Sequence, residues 1–142
     1  MKKLDHVRHV LESHSHYGTF VARLGIGAVF LWFGIDKFVH VSNWIGWVPE
    51  WMVPLIPLSL TSFMYLQGFI EALCGTLLLI GYQVRLASMI AIITLLGVEL
   101  AMIGTGQTET MLRDAGLLAA SVSLFLTGSD CLSIDCWKRG KE

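Results

Sequence analysis

Long apolar runs joined by short polar stretches dominate the chain. Four of them, near residues 18–38, 63–81, 84–103 and 114–128, approach the roughly twenty residues that carry a helix across a hydrocarbon core of about 30 Å. No water is present in that core to satisfy backbone groups, so each run predicts a helix rather than a strand. The expected fold is therefore an all-α integral membrane protein, a bundle of four transmembrane helices forming a single domain over residues 1–142. Ahead of the first run, Leu4, Val7 and Leu11 recur at helical spacing among charges and histidines. Residues 3–16 thus predict a short amphipathic helix on the membrane surface. Residues 39–61 carry Trp44, Trp47 and Trp51 together with Pro49, Pro54 and Pro57, which forbid one continuous helix. This segment is expected in the membrane interface, either as an aromatic belt or as a lid over a site.

Composition sharpens the assignment. Of the 142 residues 54% are hydrophobic and only 15% charged, and the mean hydropathy is +0.64. A soluble domain of this length buries only about two-thirds of its unfolded surface, so the apolar surplus calls for lipid as solvent. Three cysteines exclude a disulfide scaffold, and a net charge of -1 without a basic block argues against nucleic acid as a partner. The basic start is followed by a long polar stretch, and Arg23 falls inside the first apolar run. That pattern does not fit a cleaved signal peptide.

The distribution of cations predicts orientation. With both termini cytoplasmic, Lys2, Lys3, Arg8, Arg85, Lys138, Arg139 and Lys141 fall inside, against Lys37 and Arg113 outside. The expected location is the inner (cytoplasmic) membrane of a prokaryote.

Charges within the spans are informative because each costs about 2.5 to 3.5 kcal/mol on insertion scales. Arg23, Gly27, Phe30, Gly34 and Lys37 share one helix face, as do Gly68, Glu71, Gly75 and Leu78 on the second span. Arg85, Ser88, Ile92, Leu95 and Glu99 form a third stripe. Glycines beside the charges allow close helix approach and predict that these stripes face inward. Counting from the expected outer ends puts Lys37 and Arg113 at the mouth, Glu99 about one turn in and Glu71 about two turns in. Asp36 and Asp114 flank the rim. Together these residues predict an outward-facing polar cup, whereas Arg23 is expected to snorkel to the inner headgroups.

The cup supports two readings, a structural ion-pair network or a site for a polar head group. A quinone carbonyl or organic anion would take a cationic donor from Lys37 or Arg113, with Glu99 and Asp114 nearby, and proton exchange would fall to Glu71. No haem, nucleotide or metal site is evident. The spans contain no histidine, no glycine-rich phosphate loop is present, and His6, His9, His14 and His16 read as a solvated surface helix. Cys131 and Cys136 have neither thioredoxin nor zinc-knuckle spacing and read as free thiols.

The same residues carry a resemblance to the DoxX-like family of small four-helix membrane proteins. The Arg23, Gly27, Phe30, Gly34, Lys37 stripe is similar to the family's first-helix pattern, and Gly68, Glu71, Gly75, Leu78, Gly81 and Arg85 to its second. Arg113 and Asp114 resemble the opening of its fourth helix, and Ser133, Ile134 and Asp135 its closing motif. Val84 stands where the family usually has Thr, and Cys131 and Cys136 lie outside the pattern. The resemblance implies a membrane subunit or accessory of an oxidoreductase in quinone or sulfur metabolism, as in the DoxD-type subunit of thiosulfate:quinone oxidoreductases. Quinone is then the expected cofactor, and a redox partner protein or a homo-oligomer the expected assembly within the bilayer. The alternatives are a small-solute or proton-coupled carrier, and a structural subunit of a larger complex.

Overall fold

The computed structural model of the protein describes the backbone of residues 2–139 and the side chains of residues 17–138. Helix α1 spans Lys2–Val39, α2 Val41–Ile45, α3 Leu60–Ile80, α4 Val84–Met102, α5 Thr108–Thr127 and α6 Ile134–Arg139, with one 3-10 turn at Val53–Leu55. Four helices are long and apolar enough to cross a membrane, at Tyr17–Val39, Leu60–Ile80, Val84–Met102 and Thr108–Thr127. The described residues include no strand.

Two element boundaries differ from the expected ones. The surface helix is not a separate element. No proline or turn residue interrupts the chain before Gly18, and residues 2–39 form one helix of 38 residues, about 57 Å at 1.5 Å per residue. The side chains of its first part, including His6, His9, His14 and His16, lie outside the described residues. The fourth span begins at Thr108 rather than near 114, because the break falls at Gly104 and Gly106, both with positive φ. Arg113 and Asp114 consequently stand more than one turn inside α5.

Helices α1 and α3 run antiparallel at backbone contact. A Cβ on Gly34 would overlap the Ala72 amide nitrogen and come 2.7 Å from the Gly68 carbonyl oxygen, and one on Gly75 would overlap the Leu31 amide and come 2.7 Å from the Gly27 carbonyl. Lipid tails are as apolar as leucine, so this close packing replaces hydrophobic burial as the force that joins the helices. The core between the bundle's ends holds Ile26, Phe30, Cys74, Leu78, Ala91, Leu95 and Leu124. Large apolar side chains such as Trp32, Phe69, Ile93 and Leu126 point outward, as lipid requires. Within the helices, the hydroxyls of Thr76, Ser88 and Ser121 donate to carbonyls four residues back, so none of these donors is left unsatisfied in a dry environment.

The first two charged stripes are buried along their length. The third is only partly so. Ser88 and Leu95 face the core, but Arg85 is exposed beside Gly128, and the buried side of α4 centres on Val84, Ala87, Ala91 and Met102.

Candidate functional site

The ends of α1 and α4 and the starts of α3 and α5 gather at one end of the bundle, beneath the connecting segment of residues 40–59. There Lys37, 3% exposed, turns inward along α3. Its Nζ donates to Glu71 Oε2 at 2.6 Å. Because α3 begins at Leu60, Glu71 stands near the middle of that helix rather than two turns from its end. Gln67, one turn earlier, donates from Nε2 to Glu71 Oε1 at 3.3 Å. Both carboxylate oxygens are thus engaged, and an ionised pair can persist where either partner alone would be expelled.

The aromatic and proline-rich segment supplies the roof. Helix α2 ends at Ile45 with Gly46 as its C-cap, ahead of Pro49, and Trp44 near its end lies over Lys37, with Nζ 3.9 Å from the ring centroid. A cation over an indole face gains about 0.5 to 2 kcal/mol, more as water is excluded. Asp36 holds this roof. Its Oδ2 accepts from Trp44 Nε1 at 2.8 Å, its Oδ1 pairs with His40 Nδ1 at 2.7 Å, and Phe33 meets Trp44 edge-on.

Beneath the roof lies a cavity of about 460 Å³, within the usual range for small-molecule sites. Its walls are mostly apolar, formed by Trp44, Trp47, Met52, Phe63, Ile70 and Val98. Polar groups converge on it from four helices: Lys37, Gln67, Thr94, and on α5 Thr110, Arg113 and Asp114. Arg113 Nε donates to Asp114 Oδ1 at 2.8 Å, and its guanidinium sits 5.3 Å from the centre of the Phe33 ring.

A profile of the DoxX family matches residues 18–105. The chain belongs to the DoxX family. The matched stretch of this DoxX protein holds Lys37, Trp44, Gln67, Glu71 and both close-packed glycine pairs, whereas Arg113, Asp114 and the closing motif lie beyond it. No curated protein and no solved structure matches the chain.

Of the residues expected in the cup, Lys37, Arg113 and Asp114 line the cavity, Glu71 stands behind Lys37, and Glu99, near the same end on α4, does not line it. Residues two positions apart on a helix differ by about 200° in direction, so Glu99 points away from Gly97, which lines the cavity. Its Oε1 is closed off without a hydrogen-bond partner among the described residues. Asp36, expected at the rim, holds the roof through Trp44, whereas Gln67 is absent from the sequence-based cup although its i, i+4 spacing to Glu71 is visible in the sequence.

At the opposite end Arg23 does not snorkel. It is 1% exposed, and its Nε donates to Asp130 Oδ2 at 2.8 Å while Nη1 donates to the carbonyls of Leu78 and Leu79 at 2.5 and 2.9 Å. The segment after α5 makes this possible by folding back over the bundle. Asp135 accepts from the amides of Gln83 and Val84, both at 2.9 Å, and so caps α4 from a distance. Asp130 went unrecognised because it lies past the last apolar run, where a carboxylate reads as solvated. The closing Ser133, Ile134 and Asp135 are therefore part of a structural lock.

Proposed function

We propose that this DoxX protein is the membrane subunit of a quinone-linked oxidoreductase, and that the cavity beside Lys37 receives the quinone ring. The observation that carries the reading is an apolar, aromatic-walled cavity of about 460 Å³ into which one buried, carboxylate-paired ammonium projects. A flat ring with carbonyl oxygens fits that chemistry. Trp44, Trp47 and Phe63 offer faces to the ring, and Lys37 Nζ, the Gln67 amide and the Arg113 guanidinium offer donors to its oxygens.

Reduction of a quinone consumes two electrons and two protons. The electrons would come from a partner protein, since the chain carries no motif for an electron-carrying cofactor. What this chain contributes is donation and proton supply. Lys37 Nζ orients a carbonyl and gives it a proton as negative charge develops there. Glu71, ionised at rest and 2.6 Å behind it, takes up protons from water entering the cavity and passes them to the Lys37 amine, so that the site delivers the two that reduction consumes. Roofed by tryptophans, the pair works in a low dielectric where such donors act more strongly than in water.

A carrier function draws less support, because the core beyond Glu71 is packed by Phe30, Cys74, Leu78 and Leu95 and the far end is closed by Arg23 and Asp130. Under this proposal the end opposite the cavity, with both termini, faces the cytoplasm, a reading supported by the excess of cations at that end.

Glu71→Gln tests the reading. Glutamine keeps the shape and an acceptor for Lys37 but cannot exchange a proton. At equal membrane content and unchanged elution on size exclusion, the chain-dependent part of quinone reduction should fall by about 10²-fold or more. Equal rates in a stable Glu71→Gln protein would refute the proposal.

A further inference from the structure

The first cavity does not end beneath Trp44. A second, of about 340 Å³, adjoins it, and Met52, Phe63, Gly97 and Ala101 line both. No charged, amide or hydroxyl side chain borders this second space. Leu55 and Leu100, which line it, are exposed on the outer surface, where the spans meet lipid. The combined slot therefore runs from Lys37 past Gly97 and opens sideways between the end of α4 and the proline-rich segment.

Gly97 borders both spaces, and its lack of a side chain has a different basis from that of Gly34 or Gly75. Nothing lies within 4 Å of a Cβ built on it, so no helix approach explains it. Glycine within a helix costs about 1 kcal/mol relative to alanine, and here the unfilled position leaves the passage clear.

We propose that the ligand is a hydrocarbon-tailed amphiphile that enters from the bilayer through this side opening, its head passing Gly97 to reach Lys37 and its tail remaining in the second cavity. The inference rests on the reading that the first cavity receives a quinone ring, and it specifies a lipid-soluble quinone rather than a short, water-soluble one. The physical reason is the asymmetry of access. A tail passing from lipid into an apolar groove never meets water, whereas the cavity's other side is covered by Trp44 and Trp47.

The test compares three purified chains in one detergent: wild type, the double variant Ile56→Phe/Leu100→Phe, whose two positions line only the second cavity, and the double variant Lys37→Met/Glu71→Gln. Quenching of tryptophan fluorescence is titrated with a tailless dimethoxy-methyl-benzoquinone and with its decyl-tailed analogue. Micelle partitioning of each ligand is common to all three chains, so it cancels in comparisons between them. Phenyl groups in the second cavity should weaken binding of the tailed ligand about tenfold, the scale of an overpacked site, and leave the tailless one within about twofold. The Lys37→Met/Glu71→Gln variant should weaken both.

If Ile56→Phe/Leu100→Phe affects both ligands equally, or neither, the side passage is refuted while the head site stands. If wild type binds neither ligand, or Lys37→Met/Glu71→Gln binds both normally, the head site fails and the passage with it. A second measurement avoids reliance on a folded variant. In the wild-type chain, a decyl-benzoquinone with a photoreactive group at the tail end should label peptides containing residues 51–57 or 100–101, and labelling confined to α5 would overturn the proposal.

Discussion

An ammonium group 2.6 Å from a carboxylate and 3.9 Å from an indole centroid is stable in hydrocarbon only as a member of that set. Removing Lys37 alone leaves Glu71 as an unpaired buried charge, a change that typically costs about 3 to 5 kcal/mol. Lys37→Met should therefore lower the thermal midpoint in detergent markedly, and adding Glu71→Gln should restore most of it, because the orphaned charge is then gone. Failure of the second substitution to rescue the first would mean that Lys37 acts through packing rather than charge. The Arg23–Asp130 pair follows the same logic at the other end. Asp130→Ala strands a guanidinium that is 1% exposed and should destabilise the protein by a similar ~3 to 5 kcal/mol, read as the shift in thermal midpoint. Lys37 and Glu71 were legible in the sequence because charge inside a span is rare. The destination of Arg23 was not, since its partner lies 107 residues away in a segment without hydrophobic periodicity.

At the scale of elements, the α1–α3 pair is set by glycine. Gly34→Leu has no room against the Ala72 amide and the Gly68 carbonyl, so the helices would have to separate and Lys37 would lose its register with Glu71. Loss of a monodisperse peak on size exclusion is the expected result. Gly116→Ala is the matched control, because nothing lies within 4 Å of its Cβ; in a helix interior it should be neutral or stabilising by up to about 1 kcal/mol. Equal behaviour of the two variants would contradict close packing as the force that joins α1 to α3. The glycine stripes could be read from sequence because helical periodicity is local. The start of α5 could not, because charge inside a helix mimics a helix mouth and the true break is a pair of glycines with positive φ, Gly104 and Gly106.

For the whole molecule, four spans return both ends of the chain to one side, and the cavity lies at the other. Under the proposed function the cavity is supplied from lipid or from the face covered by the tryptophans, because the core between the ends is packed. A cysteine replacing Lys141 should resist an impermeant thiol reagent in intact cells and react once the membrane is opened. Reaction in intact cells would invert the molecule and place the cavity at the cytoplasmic face. The most direct measurement is the quinone that travels with the protein through gentle purification. Organic extraction and chromatography should recover a lipid-soluble quinone in near-stoichiometric amount from the wild-type chain and little from an equally stable Lys37→Met/Glu71→Gln chain. Equal recovery from both, or none from wild type, would contradict a quinone site beside Lys37.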